Sequence, residues 1–105
     1  MNLRYGKGLY FSSISSKSHS YNPLSEKVHS GKTVRSMLMC KVVAGNAHNT
    51  KLERLEQHHV DGYIASGYDS IIGLTTKDDG KLNYDEIVVY DKHAALPSYL
   101  VVYEM

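Results

Sequence analysis

Several features that define other protein classes are scarce or missing in this sequence. Its 105 residues include no Trp, one Phe, one Cys and two Pro. A single cysteine excludes an internal disulfide framework and a cysteine-rich zinc site. No apolar run approaches the roughly 18 residues that a membrane-spanning helix needs. The first four residues, Met-Asn-Leu-Arg, lack the apolar stretch of a signal peptide, so we expect an intracellular protein in the nucleus or cytoplasm.

An excess of charge of either sign is also missing. Lys and Arg number 12, Asp and Glu number 11, and the net charge is +1. This balance gives no electrostatic reason to expect nucleic-acid or membrane-surface binding. With 42% hydrophobic residues, the composition is that of an ordinary globular domain with one modest core. Tyrosine is the residue in excess, because it supplies nine of the ten aromatic side chains.

The sequence pattern predicts a β-rich α+β unit with a small helix. Apolar runs and turn residues mark the elements. We expect strands over residues 8–12, 34–43, 82–90 and 98–104, the last opened by Pro97, and a short apolar segment over 67–73. We expect a short helix near 15–21, a surface loop over 24–33, one or two helical turns over 51–57 and a turn over 77–81.

Side chains alternate between the two faces of the strand predicted over residues 8–12. Leu9 and Phe11 share one face and have the character of core residues. Tyr10 shares the other face with Gly8 and Ser12, which leave open space beside its phenol ring. Tyr10 is therefore either a ring that faces a ligand or a half-exposed strand tyrosine.

Glu86 lies in the middle of an apolar and aromatic row. In the strand predicted over 82–90, it shares a face with Leu82, Tyr84, Val88 and Tyr90. A buried carboxylate is costly unless it is paired or used in chemistry. The alternative is an edge-strand glutamate that reaches solvent.

Ser18 and Tyr21 lie three positions apart and share one face of the predicted helix. A hydroxyl beside an aromatic ring can hydrogen-bond and stack a flat polar heterocycle. The alternative is a capped, serine-rich turn packed by Tyr21.

Two further groups of residues suggest metal binding or nucleophilic chemistry only weakly. His58 and His59, with Asp61 nearby, offer metal-ligand chemistry, but adjacent residues make poor co-ligands and a solvated histidine pair is the favoured interpretation. Cys40 lies in an apolar strand and fits a small core residue better than a nucleophile. We expect no metal site.

Several separate segments, taken together, resemble one protein family. Residues 5–12 read Tyr-Gly-Lys-Gly-Leu-Tyr-Phe-Ser, and residues 15–21 read Ser-Ser-Lys-Ser-His-Ser-Tyr. These two segments resemble the nicotinamide-site signature of the poly(ADP-ribose) polymerase family. Residues 84–90, Tyr-Asp-Glu-Ile-Val-Val-Tyr, are similar to the strand that carries the family's catalytic glutamate. Residues 37–45 and 97–103 resemble two further strands of the family, and residues 67–73 resemble the segment before its catalytic strand. The likeness is greatest to tankyrase-like and fungal members.

The resemblance implies a β-rich ADP-ribosyltransferase fold and transfer of ADP-ribose from NAD⁺ to a protein acceptor, with release of nicotinamide. NAD⁺ is then the substrate. Carried over residue by residue, the family's roles make Glu86 the catalytic glutamate and Tyr10 the tyrosine of its His-Tyr-Glu triad. The NAD⁺-binding residues implied are Gly8 for clearance beside the ring, Tyr10, Phe11, Ser18 on the carboxamide and Tyr21 stacked on the nicotinamide.

The sequence departs from the family in one important respect. The triad histidine normally stands in a His-Gly upstream of the Tyr10 position, but nine residues precede Tyr10 and none is His. We therefore expect residues 1–105 to be the C-terminal part of a catalytic domain without its His-Gly half, and the isolated chain to be weakly active or inactive. The alternative is a non-enzymatic NAD- or protein-interaction module, or a truncated gene product. Missing sheet partners would expose apolar edges and favour association.

Overall fold

The computed structural model describes residues 3–13, 27–29 and 32–104, and this part of the chain forms two β-sheets and one short α-helix. The strands are β1 (Leu9–Phe11), β2 (Lys27–His29), β3 (Lys32–Val42), β4 (Ala47–Thr50), β5 (Ser70–Gly73), β6 (Glu86–Val89) and β7 (Ala95–Glu104), and helix α1 (Gln57–Ala65) lies between β4 and β5. The predicted strand-rich α+β class is confirmed. No helix in the described ranges is long and apolar enough to cross a membrane.

The first sheet has the strand order β1-β6-β5-β4. Strand β6 is antiparallel to both of its neighbours, whereas β4 and β5 run parallel. The strand predicted over residues 8–12 is confirmed as β1, and the short apolar segment predicted over 67–73 contains β5. Strand β6, which carries the candidate glutamate, therefore lies inside the sheet with a partner on each side.

The second sheet has the order β2-β3-β7 and is antiparallel throughout. The strand predicted over 34–43 is confirmed as β3. The prediction of a continuous loop over 24–33 is wrong, because Lys27–His29 pairs with Lys32–Val34. Strand β2 forms because the backbone of β3 offers it a partner. The residues of this hairpin are mostly polar, so the sequence shows no apolar pattern that would predict the strand.

Strand β7 begins two residues before the predicted opening at Pro97. Pro97 lies opposite Cys40, where the register of β3 shifts between Met39 and Cys40. Proline lacks a backbone N–H, so it is tolerated in edge strands and at bulges. Pro97 meets both conditions, because β7 is at the edge of its sheet and the register shift lies opposite Pro97.

The prediction of one or two helical turns over 51–57 is wrong, because helix α1 begins only at Gln57. Residues 51–56 form no helix, and Leu55 is instead buried, with its N–H bonded to the carbonyl of Arg4 at 2.7 Å. The sequence signal for α1 is weak, since Gly62 interrupts it and no side chain caps its first turn. The helix predicted near 15–21 lies outside the described residues.

Strand β6 is shorter than the strand predicted over 82–90. The predicted turn over 77–81 is confirmed, with a 3₁₀ helix over Thr76–Asp78 and Asp79 in the left-handed region at φ 63°. Leu82 follows this turn as a buried core residue that forms an isolated bridge with Thr75. Because the turn folds back against the sheet, regular pairing starts only at Glu86.

The core lies between α1 and the face of the first sheet that carries Val88. Its buried members are Tyr5, Leu55, Val60, Ile71, Leu82 and Val88, with Tyr10, Tyr63 and Tyr90 packed against them. Leu9 was predicted in the core but is exposed. Its strand, β1, is at the edge of the sheet, so its outer side has no neighbouring strand to cover it.

The second sheet has an exposed apolar patch made of Leu38, Leu100 and Val102. Leu38 and Leu100 are cross-strand partners, and Val102 lies two residues further along the same face of β7. These side chains are 60%, 64% and 61% exposed. Contiguous exposed apolar side chains favour association in water.

We therefore expect concentration-dependent self-association, weakened by Leu100→Lys because a charge in the patch opposes its burial. Sedimentation velocity over a range of protein concentrations measures it. The matched control is Val43→Lys, which places the same charge at an exposed apolar residue outside the patch. A folded, unaltered chain that stays monomeric at all concentrations contradicts this prediction.

Candidate active site

Glu86 is the first residue of β6 and pairs with Gly73 of β5. It is only 6% exposed. The alternative of an edge-strand glutamate that reaches solvent is therefore wrong, because β6 is an interior strand. Burial of a carboxylate costs several kcal/mol unless partners compensate. The position of Glu86 thus requires a compensating group.

Arg4 provides positive charge beside Glu86. Its Nε lies 3.8 Å from Glu86 Oε2, and its Nη1 lies 3.0 Å from Oε1 of Glu53. The guanidinium therefore joins a buried carboxylate to an exposed one and offsets the buried negative charge. Sequence reasoning missed Arg4, since no local spacing connects it with Glu86.

Tyr10 and Glu86 occupy the same face of the first sheet. Tyr10 pairs with Val88, and Glu86 lies two residues from Val88 along β6. Such diagonal neighbours in antiparallel strands are about 7–8 Å apart. The structure therefore brings together the two residues predicted to be catalytic.

The Tyr10 hydroxyl is held by the chain segment just before β1. It accepts a hydrogen bond from the Tyr5 N–H at 3.0 Å and donates one to the Gly6 carbonyl. The ring is half-buried. The hydroxyl thus fixes the ring in place, and Tyr10 has a structural role whether or not it also faces a ligand.

Tyr5 is held in place by hydrogen bonds that involve three phenol hydroxyls, those of Tyr10 and Tyr90 and its own. Besides the contact from Tyr10, its carbonyl accepts a bond from Tyr90 Oη at 2.7 Å, and its own hydroxyl donates to the Leu52 carbonyl at 2.9 Å. The Tyr5 side chain is fully buried. A Cβ on Gly73 would lie within van der Waals radii of the Tyr5 hydroxyl, so glycine is needed there. Part of the tyrosine excess therefore serves to lock residues 4–6 beside Glu86.

Burial, and then the negative charge of Glu86, raise the pKa of Tyr5 from its ordinary value of 10.0 to about 12. Burial also raises the pKa of Tyr10 and of Tyr90. Because the folded state disfavours the ionised phenol, the contribution of Tyr5 is fully present below pH 10 and is lost as the pH rises toward about 12.

The free energy of unfolding should therefore fall above about pH 10, and less steeply in Tyr5→Phe. Urea titrations between about pH 8 and pH 12 measure this difference. Tyr99→Phe is the matched control, because Tyr99 is 69% exposed. Identical pH profiles for Tyr5→Phe and the unaltered chain would contradict the prediction.

Asp85 is a further residue that sequence reasoning missed. Its Oδ1 accepts hydrogen bonds from Ser12 Oγ at 2.8 Å and from the Ser13 N–H at 3.1 Å. Its Oδ2 accepts one from Ser13 Oγ at 2.6 Å. The carboxylate therefore fixes the chain where it leaves β1.

Gly8 has a packing reason to be glycine. A Cβ at this position would lie 2.7 Å from Val88 Cγ1 and 3.0 Å from the ring of Tyr90. A side chain would push β1 away from β6 and so displace Tyr10 relative to Glu86. The close approach of the strands thus depends on Gly8.

Phe11 points to the opposite face of the sheet from Tyr10, because successive strand residues alternate. It pairs with Ile87 and helps to line a cavity of about 610 Å³ between the two sheets, together with Met37, Met39 and Cys40. Cys40 is half-buried there, next to apolar side chains. Tyr10 also lines this cavity, whereas Glu86 does not.

The pair His58 and His59 is exposed at the start of α1, as the favoured interpretation predicted. His58 Nδ1 lies 3.3 Å from Glu56 Oε2. Asp61 accepts a hydrogen bond from Gln57 Nε2 at 2.9 Å instead of joining the imidazoles. Potential ligand atoms of Glu56, His58 and His59 lie within 4.8 Å of one another, in a fully exposed setting.

Comparison with known families identifies the chain. The family model described as Poly(ADP-ribose) polymerase catalytic domain matches residues 1–105. The chain belongs to the poly(ADP-ribose) polymerase catalytic domain family. A search of curated proteins finds no match. The family model names no subgroup, so the likeness to tankyrase-like and fungal members stays a prediction.

The residues predicted to serve this poly(ADP-ribose) polymerase domain divide into three groups. Tyr10 and Glu86 share a sheet face, and Gly8 packs closely against Val88 of β6 beside them. Phe11 lies on the opposite face. Ser18 and Tyr21 lie outside the described residues. Of the residues predicted for the site, the structure therefore describes Gly8, Tyr10, Phe11 and Glu86.

Proposed function

We propose that this domain transfers ADP-ribose from NAD⁺ to a protein acceptor, with Glu86 as its catalytic glutamate. One observation carries the proposal: in a member of the poly(ADP-ribose) polymerase family, a buried glutamate lies on an interior strand and shares its face with Tyr10. A nuclear or cytoplasmic location remains part of the proposal.

The chemistry explains why a buried carboxylate suits this reaction. The bond between C1′ of the ribose and the nicotinamide nitrogen breaks, and nicotinamide leaves with the electron pair. Positive charge develops on the sugar, as in glycoside hydrolysis. The Glu86 carboxylate accepts hydrogen bonds from the ribose hydroxyls and stabilises that charge. The acceptor nucleophile then bonds to C1′ and loses its proton to Glu86 or to water.

The nicotinamide side of the site is proposed to use Tyr21, Ser18, Gly8 and Tyr10. The positively charged nicotinamide ring of NAD⁺ is attracted to a tyrosine face, which suits Tyr21 for stacking. Ser18 would hydrogen-bond the carboxamide, and Tyr10 would offer a ring already fixed by its hydroxyl. Phe11 faces the other side of the sheet, so its part in NAD⁺ binding would be to support β1 from behind.

Weak turnover is part of the proposal. A guanidinium beside Glu86 opposes positive charge on the sugar, although Arg4 lies closer to Glu53, at 3.0 Å against 3.8 Å. We propose residues 1–105 as the glutamate-bearing part of the domain, and the sequence contains no His-Gly to complete the triad. The alternative, a non-enzymatic NAD- or protein-interaction module, is favoured by the exposed patch of Leu38, Leu100 and Val102.

Titration of the purified chain with benzamide, a nicotinamide mimic, tests the proposal by calorimetry. We expect binding that Tyr21→Ala weakens roughly tenfold or more through loss of stacking. The control Tyr99→Ala removes an exposed tyrosine elsewhere and should bind as the unaltered chain does. Release of nicotinamide from NAD⁺ is then measured. Failure to bind benzamide contradicts the proposed site, whereas binding without any release favours the interaction module.

A further inference from the structure

We propose that Glu56, His58 and His59 form a binding site for a divalent transition-metal ion of the zinc type at the start of α1. Ligand atoms of the three side chains lie within 4.8 Å of one another. Two imidazole nitrogens and one carboxylate oxygen are a ligand set that Zn²⁺ uses in proteins, with water in the fourth position. The site goes beyond the proposed function and does not depend on it.

The backbone at the start of α1 brings these three side chains together. Neighbouring residues inside a helix point in different directions, which is why the sequence favoured a solvated histidine pair. Glu56, however, is the N-cap of α1 and has extended backbone, with φ −76° and ψ 157°. Its Oε2 lies 3.3 Å from His58 Nδ1, and the ring centroids of His58 and His59 are 4.0 Å apart. The change of backbone direction therefore gathers ligands that a continuous helix would separate.

The side chains of the cluster are accessible to a metal ion. Glu56 makes no capping hydrogen bond to the helix. The side chains of His58 and Glu56 are 69% and 75% exposed, so they can turn toward an ion without disturbing the core. Asp61 is not part of the site, because its carboxylate accepts a hydrogen bond from Gln57 Nε2 at 2.9 Å. The site thus has three protein ligands and an open side that faces water.

Ligand type and charge select the class of cation. Imidazole nitrogens favour Zn²⁺, Ni²⁺ and Cu²⁺, whereas Mg²⁺ and Ca²⁺ prefer oxygen ligands. The Glu56 carboxylate supplies negative charge and offsets the partial positive charge of the helix N-terminus, which opposes cation binding. Because exposed ligands are poorly preorganised, we expect a Kd of about 1–100 μM for Zn²⁺.

The cluster adjoins a segment that is already tied to residues 4–7. The Leu55 N–H donates to the Arg4 carbonyl at 2.7 Å, and Gln57 Oε1 accepts a bond from the Lys7 N–H at 3.0 Å. A ligand that binds the folded chain in preference to the unfolded chain raises stability. Zn²⁺ should therefore raise the Tm of the chain, and the rise should depend on the two histidines.

Calorimetric titration of the purified chain with ZnCl₂ tests the proposal, and thermal unfolding in ZnCl₂ is the second measurement. We expect His58→Ala and His59→Ala each to weaken Zn²⁺ binding roughly tenfold or more, since loss of even an outer contact of a metal ligand costs about 10–100-fold. His93→Ala is the matched control, because it removes an exposed histidine outside the cluster. Cys40→Ser is the control for binding by the thiol. Both controls should bind Zn²⁺ as the unaltered chain does.

Three results would overturn the proposal. The first is an unaltered chain that binds no Zn²⁺, or that binds Mg²⁺ as tightly as Zn²⁺, since simple charge attraction then explains the binding. The second is unchanged affinity in folded His58→Ala and His59→Ala. The third is an equal loss of affinity in His93→Ala or Cys40→Ser, which would place the ion elsewhere. Should an alanine variant not fold, His58→Gln or His59→Gln, which keeps a polar side chain, takes its place in the same comparison.

Discussion

Replacement of Glu86 by glutamine should lower the rate of nicotinamide release from NAD⁺ by about 10²–10⁴-fold and leave benzamide binding unchanged. Glutamine has nearly the same shape, so the buried site stays filled, but it carries no negative charge to stabilise the developing oxocarbenium ion. Chromatography of nicotinamide at saturating NAD⁺, corrected for hydrolysis without protein, measures the rate.

Glu53→Gln is the matched control for this experiment. Glu53 contacts the same guanidinium as Glu86, with Arg4 Nη1 at 3.0 Å, but its side chain is exposed. Exposed ion pairs contribute little, so the rate should stay within roughly twofold of the unaltered chain. Equal rates for Glu86→Gln and the unaltered chain would exclude Glu86 as the catalytic residue, and an equal loss in Glu53→Gln would assign the effect to Arg4.

Tyr5→Ala should be the most destabilising single change near the site. Tyr5 is fully buried in the core, and loss of a buried aromatic side chain costs about 3–5 kcal/mol. A domain of this size has a free energy of unfolding of about 5–15 kcal/mol, so much of that stability would disappear. Urea unfolding monitored by circular dichroism measures the change.

Two companion variants define the cause. Tyr5→Phe keeps the ring and removes only the bond to the Leu52 carbonyl, at a cost of about 1 kcal/mol. Tyr99→Ala removes an exposed ring and should change the free energy of unfolding by less than about 0.5 kcal/mol. If Tyr5→Ala unfolds at the urea concentration of the unaltered chain, the anchoring role of Tyr5 is wrong.

The sequence was informative where the structural signal is local. Alternation over residues 8–12 and the apolar run of β3 predicted those strands, because period and composition decide them without help from distant residues. The apolar row around Glu86 left two alternatives, a buried carboxylate or an edge-strand glutamate that reaches solvent, and the 6% exposure of Glu86 decides for the first. The resemblance to the family then predicted a catalytic role for that carboxylate, which burial alone does not indicate.

The rest depended on contacts between distant parts of the chain. Arg4 and Asp85 act through partners that no spacing rule connects to them, so their contributions could not be read locally. The strand Lys27–His29 exists because β3 offers backbone partners. Helix α1 is held mainly by burial of Val60, whereas its own propensity is weak.

The hydrogen bond from Tyr90 to the Tyr5 carbonyl spans 85 positions of the chain. Contacts of such sequence separation are slow to form, because a long loop must close first. On the ribosome, β1 therefore has no β6 to pair with until Glu86–Val89 has been synthesised. The face that carries Tyr10 and Glu86 can be assembled only after that point.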